Sequence, residues 1–323
     1  MTTGASARIA IGIPARNAAS YLPRLLDSIE QQTTPFADVL VYDDASTDDT
    51  GRIARHRGAR VLRSETNTGP SVGKNLIARS TDCEWIHFHD ADDALRPEFV
   101  ERASARVAGG DLDVLLMATE DRDDATGRSL ETRLWDHAAL VRDAIGYCIR
   151  HNVTNCGVYR RQAFLDAGGF DSRDLTKFNE DQAMHLRLAI AGLRFGADAY
   201  PGTIIFRRAQ SMSSGNAVAC ARAHFHVLRE TAEKAGRTHA EALGQEFWRS
   251  ARILATYQDW SYVRRALAFA RELGCHDPIA ENRRFRVAAR VHPFGAVFAR
   301  EQVIRLIKPH LRAGVPTARS RHE

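Results

Sequence analysis

Three short acidic runs carry the first hint of chemistry in this chain: Asp43-Asp44, Asp90-Ala91-Asp92-Asp93 and Glu180-Asp181. Asp90 and Asp92 are one residue apart, so in a turn both carboxylates reach the same side and can hold a hard cation. Mg²⁺ and Mn²⁺ take one or two protein carboxylates and fill their other positions with water and phosphate oxygens, which is how an acidic pocket accepts a nucleotide diphosphate. Taken alone, the same run also reads as a solvated acidic turn that caps the helix near Pro97. Asp44 reads alone as part of an Asx turn with Asp43 and Ser46. Asp181 falls where a helix should begin, a place that favours an ionised carboxylate and equally suits a plain cap. Glu180 either orients a hydroxyl or is solvated. His224 and His226 are weak ligand candidates, readable as ordinary polar or core histidines. Cys83, Cys148, Cys156, Cys220 and Cys275 form no CxxC pair, which argues against a disulfide framework or a zinc knuckle.

These residues need a scaffold, and the first 120 positions alternate β-branched runs with helical patterns, the sign of βαβ units. Strands are predicted at Arg8 to Ile13, Val39 to Tyr42, Arg60 to Arg63, Trp85 to Phe88 and Leu112 to Met117. Between the first two, Ser20 is expected to cap a helix whose Leu22, Leu25, Leu26 and Ile29 share one apolar face. A helix is expected from about Ser71 to Ser80, and the polar stretch Thr119 to Glu131 reads as a loop. A strand from Asn155 to Tyr159, a Gly168-Gly169-Phe170 turn, a helix from Asp181 to Ala191 and a strand from Ile204 to Phe206 complete the pattern. Parallel α/β sheets bind ligands at the carboxyl ends of their strands, so the loops after the first, second and fourth strands should share one site. Beyond Ser214 the texture turns to Ala, Arg and aromatic residues with helical periodicity. The expected division is therefore residues 1–215, a mostly parallel α/β domain, and residues 216–323, a mainly helical region with a basic tail.

Composition bounds the alternatives. Of 323 residues, 44% are hydrophobic and 26% charged, the balance of a soluble globular protein. No run approaches the roughly 20 apolar residues of a membrane span, and the first ten lack a signal-peptide layout, so a cytoplasmic address is expected. The net charge of +5 is a tail property: from Glu281 to Glu323 ten Lys/Arg stand against three acidic residues, while the rest sums to −2. Val297, Ile304 and Ile307 can share a helical face flanked by Arg305 and Lys308. Two readings stay open for it, packing on the fold or a partner subunit, and lying on an anionic membrane at its inner face. The tail offers charge without a nucleic-acid module, so no nucleic-acid partner is expected. Pro14 to Ala19 contains no glycine, which argues against a nucleotidyltransferase loop, and no GxGxxG or Walker lysine motif follows any strand.

Read together, the motifs resemble those of family-2 GT-A glycosyltransferases. They are Ile11 to Asn17, Val41 to Thr50, Asn67 to Asn75 and His89 to Asp93, followed by Ala167-Gly168-Gly169-Phe170-Asp171 and Asn179-Glu180-Asp181-Gln182. Order and spacing agree over roughly residues 8–213. The resemblance implies an α/β, GT-A (Rossmann-like), mostly parallel sheet flanked by helices, and inverting transfer from a nucleotide sugar, a UDP-sugar by preference. It implies that Asp44 accepts from the uracil N3-H, with Pro14, Ala15, Arg16, Asn17 and Lys74 around base, ribose and phosphates. Asp90 would touch ribose or a metal-bound water, Asp92 would ligate Mn²⁺ or Mg²⁺, and Asp181, with Glu180 beside it, would be the general base. Relatives often stack an aromatic side chain where Arg16 stands, carry Arg where Lys74 stands, and show a His before the Ser-Met-Ser found here as Ser211-Met212-Ser213. The implied partners are the donor and a glycan or lipid-linked acceptor of polysaccharide biosynthesis. The runner-up reading is a non-catalytic nucleotide-sugar or carbohydrate-binding module.

Overall fold

The computed structural model describes residues 7–208, 215–279 and 281–318. It comprises two compact units, the first drawn from Met1–Tyr147, Val153–Ser172 and Arg187–Ala209, the second from Cys148–Asn152, Arg173–Leu186 and Gln210–Glu323.

The first unit is built on one sheet. Its parallel part comprises β1 (Ile9–Ala15), β2 (Asp38–Asp44), β3 (Arg60–Ser64) and β4 (Trp85–Phe88), ordered β3-β2-β1-β4. The sheet continues through β8 (Gly157–Arg160), β6 (Val114–Asp123), β9 (Phe195–Arg207) and β5 (Ala94–Leu95), with β7 (Ser129–Arg133) paired to β6. β8 lies antiparallel between β4 and β6, and β6 and β9 run parallel. The expected mostly parallel sheet is thus present, with β5, β7 and β8 running against the rest.

Both faces of β1 are covered. Ile9, Ile11 and Ile13 pack with Leu22, Leu25, Leu26 and Ile29 of α1 (Leu22–Glu30), and all seven are buried. Truncating one such leucine to alanine typically costs about 2–5 kcal/mol. On the other face α3 (Pro70–Arg79) comes close enough that a Cβ at Gly12 would sit 2.6 Å from Ile77, and one at Gly73 would sit 2.3 Å from the Tyr42 ring. Glycine at both positions lets the helix seat directly on β1 and β2, and Lys74 follows at once.

Four expectations are corrected. Ser20 caps nothing: the cap position is Tyr21, without a side-chain hydrogen bond, and Pro23 sets the first turn. The supposed loop from Thr119 to Glu131 is instead the end of β6, a turn and the start of β7. Its charges are absorbed in pairs across the ladder, Arg133 and Arg207 both on Asp121 at 2.7 Å. The strand read as Leu112 to Met117 starts at Val114 and continues to Asp123. The last strand begins at Phe195, well before Ile204, because Pro201 and Gly202 disguise its middle. Ser211-Met212-Ser213 lie outside the described residues.

The second unit is helical. α8 (Glu180–Ile190) begins in it, followed by α9 (Ala217–Ala235), α10 (Ala240–Thr256), α11 (Trp260–Glu272), α12 (Arg283–Val291) and α13 (Pro293–Ile307). Phe247 and Phe269 stack at 5.3 Å, with the Phe225 ring set edge-on to both. On α13 the expected apolar face divides: Val297 is buried, whereas Ile307 is 71% exposed, next to Leu306 at 80% and Val303 at 51%. Among the described residues no helix is long and apolar enough to cross a membrane.

Candidate functional site

The loops after β1, β2 and β4 meet at the carboxyl ends of adjacent strands. Asn17, at φ 49°, occupies the left-handed region that Asn tolerates better than most residues. Its N–H donates to Ser46 Oγ at 3.0 Å, and its Oδ1 accepts from the Thr47 N–H at 2.9 Å. The Pro14-Ala15-Arg16-Asn17 turn and the turn after β2 are therefore one hydrogen-bonded unit, with Arg16 exposed beside it.

Asp43 and Asp44 take different tasks. Asp43 accepts from the Ser46 N–H at 3.0 Å and is gripped by Arg63. Asp44 is buried and reaches across to the start of α3, accepting from the N–H groups of Thr68 at 2.7 Å and Gly69 at 2.9 Å and from the Thr68 hydroxyl at 3.1 Å. The Asx geometry expected for Asp44 belongs to Asp43, while Asp44 locks the entry of the helix that carries Lys74. Lys74 is buried, its Nζ 3.6 Å from Asp90 and 4.8 Å from the centre of the Phe170 ring. Asn75 donates to the Phe170 carbonyl at 2.8 Å and accepts from its N–H at 2.9 Å, so the Gly168-Gly169-Phe170 turn is fixed to α3.

At the end of β4 the acidic run splits by environment. The Asp90 and Asp92 side chains are 54% and 44% exposed. Asp93 is buried, accepts from the Phe206 N–H at 2.9 Å, and has its carboxyl pushed well up by burial and then by the charges of Asp92 and Asp90. Asp92 is paired with Arg208 at 2.8 Å. Arg208 also holds Asp124 at 2.6 Å and stacks on Tyr21 at 4.1 Å, and Arg24 meets Asp124 at 2.7 Å. Beneath the run, His87 and His89 contact each other at 3.0 Å, and His87 Nδ1 donates to the Gly157 carbonyl at 2.8 Å. Burial lowers both to about 3, so both are neutral at physiological pH.

Two solvent-open hard carboxylates fit the kind of Mn²⁺ or Mg²⁺ site that borrows its remaining oxygens from water and phosphate. Among the described residues no three His, Cys, Asp or Glu side chains gather as a closed metal cage. The sequence reading assigned no role to Arg24, Asp124 or Arg208. No local pattern announces a pair 116 residues apart, although the Arg207-Arg208 doublet after a strand was a visible signal.

Glu180 and Asp181 open α8 in the second unit. The Asp181 carbonyl accepts from the His185 side chain, Nδ1, at 2.8 Å, a bond one helical turn back along α8. Gln182 ties this turn down: its amide donates to the Cys148 carbonyl at 3.2 Å, and its Oε1 accepts from Asn179 and from His224 Nδ1, each at 2.9 Å. His224 thus serves as a hydrogen-bond donor, and His226 meets the Tyr262 hydroxyl at 3.0 Å.

Residues 10–167, just under half of the chain, match the model for glycosyl transferase family 2, and the fold is that of GT-A glycosyltransferase structures. Poly(ribitol-phosphate) beta-N-acetylglucosaminyltransferase TarS of Staphylococcus aureus is 26% identical over 187 residues, covering 56% of this chain and 32% of that protein. The chain spans about a third of the length of the first curated relatives it matches. The structure of TarS residues 1–349 with UDP superposes with a TM-score of 0.59 at 20% identity, covering 93% of this chain and 92% of that one. A mannosyltransferase of Pyrobaculum calidifontis, solved with GDP-Man and Mn²⁺, gives 0.57 at 16% identity over 94% and 82%.

Proposed function

We propose that this chain transfers a sugar from a nucleotide sugar, a UDP-sugar by preference, to a hydroxyl of a glycan or lipid-linked acceptor, with inversion at the anomeric carbon. The observation that carries the reading is the convergence of Asp44, Lys74, Asp90 and Asp92 on the carboxyl ends of β2 and β4 and the start of α3, in a domain whose family matches. Pro14 to Asn17 and the Asp44-anchored loop receive the nucleoside. Lys74 supplies a buried positive charge for phosphate, offset in part by Asp90. Asp92, with Asp90 beside it, would hold Mn²⁺ or Mg²⁺. When bound, such a cation acts as a Lewis acid on the charge that builds on the leaving nucleotide diphosphate. Asp181 takes the proton of the acceptor hydroxyl as its oxygen attacks the anomeric carbon opposite the departing nucleotide, and Glu180 orients a hydroxyl.

The working division is a GT-A domain over residues 1–215 and a helical region over 216–323. The exposed Val303, Leu306 and Ile307, with Arg283, Arg284 and Lys308 nearby in sequence, suit peripheral contact with an anionic membrane at the cytoplasmic face. The test is a panel of UDP-glucose, UDP-N-acetylglucosamine and GDP-mannose, scored by thermal shift and by release of the nucleotide diphosphate, with and without Mn²⁺. A Mn²⁺-dependent shift and turnover with one donor supports the proposal. No shift with any donor overturns it, and a shift without turnover in the presence of acceptor-bearing extract favours a binding module.

A further inference from the structure

The second unit contains a cavity of about 470 Å³, within the roughly 300–1,000 Å³ range of small-molecule sites. Three helices form most of it, with Asn152 and Phe178 beside them. Asn179 and Gln182 come from the start of α8, on either side of Glu180 and Asp181 in sequence; Ala217, Cys220, Ala221 and His224 come from one face of α9; and Glu246, Arg249, Ser250, Ile253 and Tyr257 come from one face of α10 and its end. Small residues on α9 leave the space, and α10 turns polar groups toward it. Ser250 is 1% exposed, yet among the described residues its Oγ has no hydrogen-bond partner; Glu246, 8% exposed beside it, meets Arg249 at 3.5 Å and His224 at 4.0 Å. Buried polar atoms are ordinarily satisfied, so an orphan hydroxyl on a cavity wall points to a ligand.

We infer that this cavity binds an uncharged sugar unit of the acceptor, through Ser250 and Glu246, with Phe178 and Tyr257 as ring-stacking walls. The inference rests on the glycosyltransferase reading above. The chemistry favours a neutral, hydroxylated ring for three reasons. Its polar groups are neutral amides, a hydroxyl, a carboxyl and an imidazole, which match hydroxyls that both donate and accept. The single guanidinium, Arg249, already faces Glu246 at 3.5 Å, which leaves little net positive charge for a phosphate. Phe178 and Tyr257 line the same cavity, and an aromatic ring suits the C–H side of a sugar. Burial raises the Glu246 carboxyl and lowers His224 to about 4, in keeping with a site of low charge. The proposed base lies on the same helical turn as Asn179 and Gln182, so a sugar held here would be held by the element that carries Asp181.

The probes are methyl β-D-glucopyranoside, methyl N-acetyl-β-D-glucosaminide and cellobiose, followed by saturation-transfer NMR on the full chain with UDP saturating. At least one should give signals that UDP does not abolish. Ser250→Ala removes an orphan oxygen, so it should weaken that saccharide by about fivefold while leaving the melting temperature unchanged or higher, which a merely structural serine would not do. Ile253→Trp, at the partly exposed edge, should plug the cavity and abolish the signal. Absence of a UDP-resistant signal for all three probes overturns the inference, as does wild-type binding in both variants or a lowered melting temperature for Ser250→Ala. The UDP-induced thermal shift, read on the same samples, reports separately on the donor site, so absence of saccharide binding by the wild-type chain with that shift intact refutes this cavity alone.

Discussion

Arg208 occupies the carboxylate that a metal would need, so Arg208→Gln should tighten Mn²⁺ binding. The Asp92 side chain is 44% and that of Arg208 21% exposed, so the pair is screened, and an ion pair of this kind contributes about 1 kcal/mol at most. A cation that must displace it forfeits that energy, and glutamine also removes a like charge from the metal's surroundings. Together these predict about five- to tenfold tighter Mn²⁺, since 1.4 kcal/mol is a factor of ten. The fold should survive, because Asp124 keeps its pairing with Arg24 at 2.7 Å. Mn²⁺ alone, followed by water-proton relaxation on wild type, Arg208→Gln and Asp92→Asn, is the assay. Asp92→Asn should lose most of the affinity. Equal or weaker Mn²⁺ binding in Arg208→Gln would refute the competition and, with it, the placing of the cation on Asp92.

Asp181→Asn should keep donor binding and the thermal shift with UDP but lose about 10²- to 10⁴-fold in transfer, the usual contribution of a general base; near wild-type turnover, or retained anomeric configuration by NMR, would contradict the mechanism. Stability should fall on the acid side from about pH 6.5. His87 and His89 are held to about 3 in the fold, so the unfolded chain binds protons first as pH drops, and each costs up to roughly 1.4 kcal/mol per pH unit. Urea midpoints that stay flat between pH 7 and pH 5 would dispose of this. Leu306→Glu with Ile307→Glu, both at exposed positions, should abolish cosedimentation with anionic vesicles at low salt without lowering the melting temperature; unchanged cosedimentation argues for another role of that face.

What could be read from the sequence follows from how local each signal is. β1 to β4, α1 and α3 declare themselves through short-range patterns: buried runs such as Trp85 to Phe88, and the Leu22-Leu25-Leu26-Ile29 stripe. β7 does not, because Ser129 to Arg133 is exposed and charged and becomes a strand only by pairing with β6. Ser20 illustrates how a good capping residue loses to geometry when Pro23 sets the turn one residue later. In the site, Asp90 and Asp92 were legible as carboxylates sharing a turn. The division of labour among Asp43, Asp44 and Asp93 was not, since it depends on which backbone N–H groups the fold delivers: those of Ser46, of Thr68 and Gly69, and of Phe206 respectively. His87 and His89 sit two residues apart and could have been paired from sequence.

The pairing of β6 with β9 breaks between Met117 and Thr119, where Met117 faces Asp198 but Thr119 faces Thr203. The extra residues from about Tyr200 to Gly202 make β9 two arms with separate registers. A one-residue slip in a strand ordinarily turns every side chain to the wrong face. Here a slip in the first arm is absorbed by the excursion and stops there. The second arm keeps its own alignment through Ala94 and Leu95 of β5 and through the Phe206 bond to Asp93. The excursion therefore acts as an expansion joint: whatever the alignment of the first arm, the arm that leads to Arg208 stays in step with the acidic turn.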